Sequence, residues 1–82
     1  MLSIGHGKYV NSKSIITIIQ ADSSPAKKLC LKAAEQRMLI DETGGRKTRS
    51  IIVMKSNHIV LSSIQSRVLN LRLNNLGKDF SM

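Results

Sequence analysis

Short apolar runs alternate with polar breaks along the chain, and the period of each run indicates the element it forms. Leu2 and Ile4 flank Ser3 and predict a short opening strand, which Gly5-His6-Gly7 interrupts. Lys8 to Asn11, with Tyr9 and Val10, predicts a second extended piece, followed by a polar turn at Asn11-Ser12-Lys13-Ser14. Ile15 to Ile19 reads IITII. Being apolar on both faces, it predicts a central strand covered from both sides. Asp22, Ser23 and Ser24 are helix-capping types, and Pro25 suits a first helical position. Through Pro25 to Arg37, residues Ala26, Leu29, Cys30, Ala33 and Ala34 recur at i, i+3, i+4, i+7 and i+8, one apolar stripe with Lys28, Lys32 and Glu35 opposite.

Met38-Leu39-Ile40 predicts a further short strand. Arg49 to Met54 and Ile59 to Ser63 predict two more, joined as a β-hairpin by Lys55-Ser56-Asn57-His58, with Asn57 in the left-handed conformation. Ile64 to about Leu76 predicts a second helix, and residues 77–82 a flexible tail. The apolar residues of that helix fall on two sides. Ile64, Val68 and Leu71 cluster on one, while Leu69, Leu73 and Leu76 lie nearly opposite. A terminal helix of so small a domain can cover only one side with its own sheet. The pattern therefore predicts self-association through Leu69, Leu73 and Leu76. Together these elements predict one α+β domain over residues 1–82, a small, mostly antiparallel sheet with a β-hairpin and two helices.

Composition sharpens the choice of partner. A chain of 82 residues buries only about 60% of its unfolded surface as a monomer, which favours oligomerisation. Thirteen basic residues against five acidic ones give a net charge of +8, suited to a polyanion. Only Tyr9 and Phe80 are aromatic, so the base stacking used by single-strand binders has almost no platform here. Duplex phosphates fit better. The cations are densest at Thr43 to Ser50, TGGRKTRS, where a glycine pair, Gly44-Gly45, runs into Arg46, Lys47 and Arg49. Glycines turn sharply without steric cost and would present these cations to an anion such as a nucleic-acid backbone.

Other chemistry finds little support. The glycine loop lacks the G-x-x-x-x-G-K-S/T spacing of a P-loop. His6 and His58 are the only histidines and Cys30 the only cysteine, so neither a metal site nor a disulfide is expected. Asp41 and Glu42 are adjacent and would diverge in an extended segment, a poor acid–base pair. Cys30 sits on the apolar stripe and reads as a core residue. The expectation is no enzyme, no cofactor, no small-molecule substrate, no membrane span and no signal peptide, in a cytoplasmic protein.

Four stretches carry a resemblance: Ile4-Gly5-His6-Gly7; Ser23-Ser24-Pro25; Met38 to Thr43 running into Gly45-Arg46-Lys47-Thr48-Arg49; and Ser56 to Gln65, SNHIVLSSIQ. In this order the chain resembles the RemA-like family, the extracellular-matrix regulatory proteins of bacteria, over roughly Leu2 to Leu73. The resemblance implies a LytTR-like α+β fold and a ring-shaped homo-oligomer. It also implies duplex DNA bound outside the ring, in the service of biofilm-matrix transcription. It places the family's arginine pair on Arg46 and Lys47, and the proline that supports ring assembly on Pro25. A further DNA-contacting arginine falls on Ser14, with Lys13 beside it as a substitute. Lys8, Gly44 and Ser66 stand where the family often has asparagine, an aromatic and proline. The rival readings are a scaffold oligomer, whose basic loop pairs with Asp41 and Glu42 of a neighbour, and a binder of structured RNA.

Overall fold

A computed structural model describes residues 1–79. The chain runs β1 (Leu2–Gly5), β2 (Lys8–Val10), a 3-10 turn (Ser12–Ser14), β3 (Ile15–Gln20), α1 (Ser24–Glu35), β4 (Leu39–Asp41), β5 (Ser50–Met54), β6 (Ile59–Ser62) and α2 (Ser66–Asp79). β1 and β2 form an antiparallel ribbon. The other strands make one sheet in the order β3-β5-β6-β4, antiparallel except for β4 against β6. The fold is α+β, as the pattern of elements indicates.

The sheet is the middle of three layers. Along β5, alternate side chains take opposite sides. Ile52 and Met54 join Ile18, Val60, Leu2, Ile4 and Leu69 in one cluster, beneath the β1–β2 ribbon and α2. Ile51 and Val53 join Ile59, Ala26 and Ala33 in the other, beneath α1. The α1 stripe behaves as its spacing requires, with Ala26 and Ala33 buried and Leu29 and Cys30 packed at the margin, although Ala34 is exposed. Burial pushes the Cys30 thiol above its ordinary pKa, as for a small apolar residue. Ser23 caps α1 by accepting the Ala26 N–H, and Pro25 lies in the first turn.

Buried serines join the layers. Ser62 donates its hydroxyl to the Ile4 carbonyl at 2.9 Å, and Ser50 donates to the Ile64 carbonyl at 2.7 Å. Both side chains are fully buried, and their hydrogen bonds offset the cost of removing the hydroxyls from water.

Two expectations are corrected. IITII is not a central strand. β3 is an edge, paired only with β5, and a register shift between Ile15 and Thr17 turns Ile16 out to 60% exposure. The apolar run looks two-sided because both sheet faces carry a core, while one strand edge stays open. The second correction concerns α2. Leu69, assigned to a neighbouring subunit, is fully buried in this chain's own core, and Leu73 and Leu76 pack against the same cluster. Leu71, on the side assigned to the sheet, is 57% exposed. The sequence showed two apolar sides but not which one the sheet would cover. The orientation buries Leu69 and lets Asn70 and Arg72 donate to the Ile18 and Ser3 carbonyls at 3.3 and 3.1 Å. α2 also begins at Ser66 rather than Ile64 and continues to Asp79, and the rest of the expected tail, residues 80–82, lies outside the described residues.

Candidate nucleic-acid interface

The topology gathers the basic loop and both helix starts at one end of the sheet. β3, β4 and β6 finish there, β5 begins there, and α1 and α2 set out from there. Because β4 lies outside β6, the chain must cross the end of β6 to reach β5. Residues 42–49 make that crossing, which explains the glycine pair. Gly44 and Gly45 have φ of 63° and 83°, a region that other residues reach only with strain.

The loop is held from its first residues. Asp41 accepts both the Thr43 N–H at 2.9 Å and the Thr43 hydroxyl at 2.6 Å. The side-chain bond first, then the backbone bond, holds the Asp41 carboxyl below its ordinary pKa. Thr43 is buried, and its carbonyl accepts the Arg46 N–H at 3.2 Å to close the turn. Glu42 is taken up by Lys8, 3.7 Å away. The two carboxylates beside the cations thus have partners within the chain. Among the described residues, Arg46, Lys47 and Arg49 have no salt bridge, and all three are exposed.

The three cations do not point one way. The Arg46 guanidinium lies back over Gly44, where a Cβ would sit 3.4 Å from its Nη1. Lys47 and Arg49 line a groove of about 420 Å³, together with Gln65, Ser66 and Arg67 from the start of α2 and Asp22 from the loop after β3. Arg49 stands just ahead of β5 rather than on it. Its N–H donates to the Ser62 carbonyl and its carbonyl accepts the Ala21 N–H, fixing its backbone between β6 and β3. Arg67, which the sequence reading did not single out, lines the same groove. A cation in a helix first turn that lacks any acid was the available signal.

Lys13 and Ser14 fall elsewhere. The Ser14 carbonyl accepts the Lys55 N–H at the far end of β5, so about 15 Å of strand separates them from the loop. Within one subunit the structure does not bring them to the Arg46–Lys47 pair. Pro25, exposed at the start of α1, stands at the loop's end of the sheet.

The sequence profile described as RemA-like, Extracellular matrix regulatory protein A-like, matches residues 1–73. The chain belongs to the RemA-like family. Among its relatives is a protein of Finegoldia magna that is 49% identical over 72 residues, 88% of this chain and 87% of the relative. One from Nitratidesulfovibrio vulgaris is 40% identical over 79 residues, 96% of this chain and 92% of the relative. One from Geobacillus kaustophilus is 43% identical over 72 residues, 88% and 83% of the two chains. Each bears the name "Putative regulatory protein". The matched RemA-like region takes in the glycine loop, the groove and most of α2. Among the described residues, no helix is long and apolar enough to cross a membrane.

Proposed function

We propose that this RemA-like chain is a transcriptional regulator that binds duplex DNA sequence-tolerantly as a ring-shaped homo-oligomer. The observation that carries the reading is the loop end of the sheet. Arg46, Lys47 and Arg49 stand exposed there without carboxylate partners, on a loop whose own acids are engaged by Thr43 and Lys8. That arrangement favours a phosphate backbone over the scaffold reading, because Lys8 already holds Glu42, one of the two carboxylates that reading offers to a neighbour's cations. The family's regulatory names support the same direction.

The mechanism is electrostatic and multivalent. One subunit offers a few phosphate contacts and binds weakly. A ring repeats them, so each bound subunit holds its neighbours at high effective concentration along the same duplex. Lys13 supplies a contact at the opposite end of the sheet. With few base contacts, preference arises from how easily a sequence bends, which favours deformable A·T-rich DNA.

The test is fluorescence anisotropy of a labelled A·T-rich duplex at several salt concentrations, for the native protein and Arg46→Ala. The native protein is expected to show a steep salt dependence. Arg46→Ala is expected to bind all sequences more weakly, with the slope of log K against log salt reduced by about one. Unchanged affinity and slope would remove the loop as the site. Stronger competition by structured RNA than by duplex DNA would reassign the partner.

A further inference from the structure

The groove beside the loop is more than an extension of it. Lys47, Arg49 and Arg67 come from two separate segments, the strand entry and the first turn of α2, yet line one concavity. Three cations share it with a single carboxylate, Asp22, which has no ion pair among the described residues. α2 opens into the same groove with no acid in its first turn. Acids normally occupy that turn, because the helix N-terminus carries about half a positive charge. Here Arg67 adds a like charge, and Lys47 and Arg49 line the same groove. The free protein therefore gathers mutually repelling charge that an anion would relieve.

We propose that this groove seats one tetrahedral phosphate group, held by Lys47, Arg49 and Arg67, with Asp22 setting an upper limit on its affinity. That the phosphate belongs to a nucleic-acid backbone rests on the duplex reading above; the groove's preference for phosphate does not. Arg67 is a binding residue of a different kind from Arg46. Arg46 projects from a turn, whereas Arg67 is carried on a helix packed to the core through Leu69, so its guanidinium starts from a fixed base. Arg49 is likewise anchored, because its backbone is bonded to β6 and to Ala21. The loop tip would make first contact with a duplex, and the groove would set the register of one phosphate.

The test compares Arg67→Ala, Arg67→Lys, Asp22→Asn and a charge-matched control, Lys28→Ala, on the exposed side of α1. Arg67 is exposed, so its truncation should leave the fold intact, which circular dichroism checks. Two readouts are taken. One is the salt slope of duplex binding. The other is the rise in Tm caused by inorganic phosphate over chloride at matched ionic strength. The proposal expects Arg67→Ala to lose about one unit of slope and most of the phosphate-induced rise. Arg67→Lys should retain both, Asp22→Asn should bind phosphate more tightly, and Lys28→Ala should match the native protein. Equal losses in Arg67→Ala and Lys28→Ala would overturn the proposal, as an effect of net charge alone. A native phosphate response and slope in Arg67→Ala would overturn it while leaving the duplex reading standing. Failure of the native protein to bind duplex, with an Arg67-dependent phosphate response intact, would uphold the groove and sink the duplex reading.

Discussion

Asp41 shows how one side chain prepares the loop. Its two bonds to Thr43 stabilise the charged carboxylate, so its folded pKa lies below the unfolded one. Such a group contributes stability in full above its unfolded pKa, and the contribution fades as pH falls through the lower folded value. Acidification below the ordinary carboxylate range should therefore loosen the turn. The protection of the Thr43 and Arg46 amides, taken as their exchange relative to the intrinsic rate at each pH, should fall there in the native protein. Asp41→Asn should exchange faster already at neutral pH and lose that acid dependence. This device was only partly legible in the sequence. Asp41 and Glu42 stood out as neighbours of the cations, but their partners, Thr43 and Lys8, come from a turn and a separate ribbon. No spacing rule joins Lys8 to Glu42. The surface pair itself adds little stability; its significance is that it leaves the cations unpaired.

Among the elements, α1 was the most readable, because its stripe and caps are local features of a continuous segment. Its C-terminal end is less conventional. The Met38 N–H donates to the Ala33 carbonyl and the Arg37 N–H to the Ala34 carbonyl, a Schellman arrangement that places Arg37 at a φ of 58°. Glycine is the usual residue there, since a side chain in this region is strained. Arg37→Gly should stabilise the protein by about 0.5–1 kcal/mol, after allowing for glycine's greater freedom in the unfolded chain. For a domain of this size that corresponds to a rise of roughly 2–8 °C in Tm by calorimetry. The β5–β6 hairpin was equally legible, with Asn57 at a φ of 73° as its turn chemistry requires. β3 was not. Its composition records two cores, one on each face of the sheet, and composition is blind to whether a further strand pairs alongside.

At the scale of the molecule, α2 separates stability from assembly. Leu69 is fully buried beneath the sheet's second face while Leu71 is largely exposed. Leu69→Ala should cost about 2–5 kcal/mol, a large share of the stability of so small a domain, and urea denaturation should show it. Leu71→Ala should change stability by less than about 0.5 kcal/mol. If the two substitutions proved equally mild, the orientation of α2 would be wrong. The sequence had sorted these residues onto opposite sides of the helix, correctly, and had assigned the sides in reverse. Either side could face inward on periodicity alone. The orientation is a tertiary outcome: the inward side meets a core assembled from β1, β3, β5 and β6, with Asn70 bonded to the distant Ile18 carbonyl.

Local information was enough for the elements, the hairpin, the glycine turn and the positive loop, because period, cap chemistry and left-handed backbone demand are properties of neighbouring residues. The family, too, was legible from four short stretches read in order. Tertiary structure alone decided that β4 lies outside β6, and hence that the loop must cross the sheet's end to reach β5. From that crossing follows the meeting of Lys47 and Arg49 with Arg67, while the antiparallel pairing of β3 with β5 holds Lys13 and Ser14 at the other end. Which charges share a groove depends on strand order, and strand order is a long-range outcome of covering both sheet faces at once.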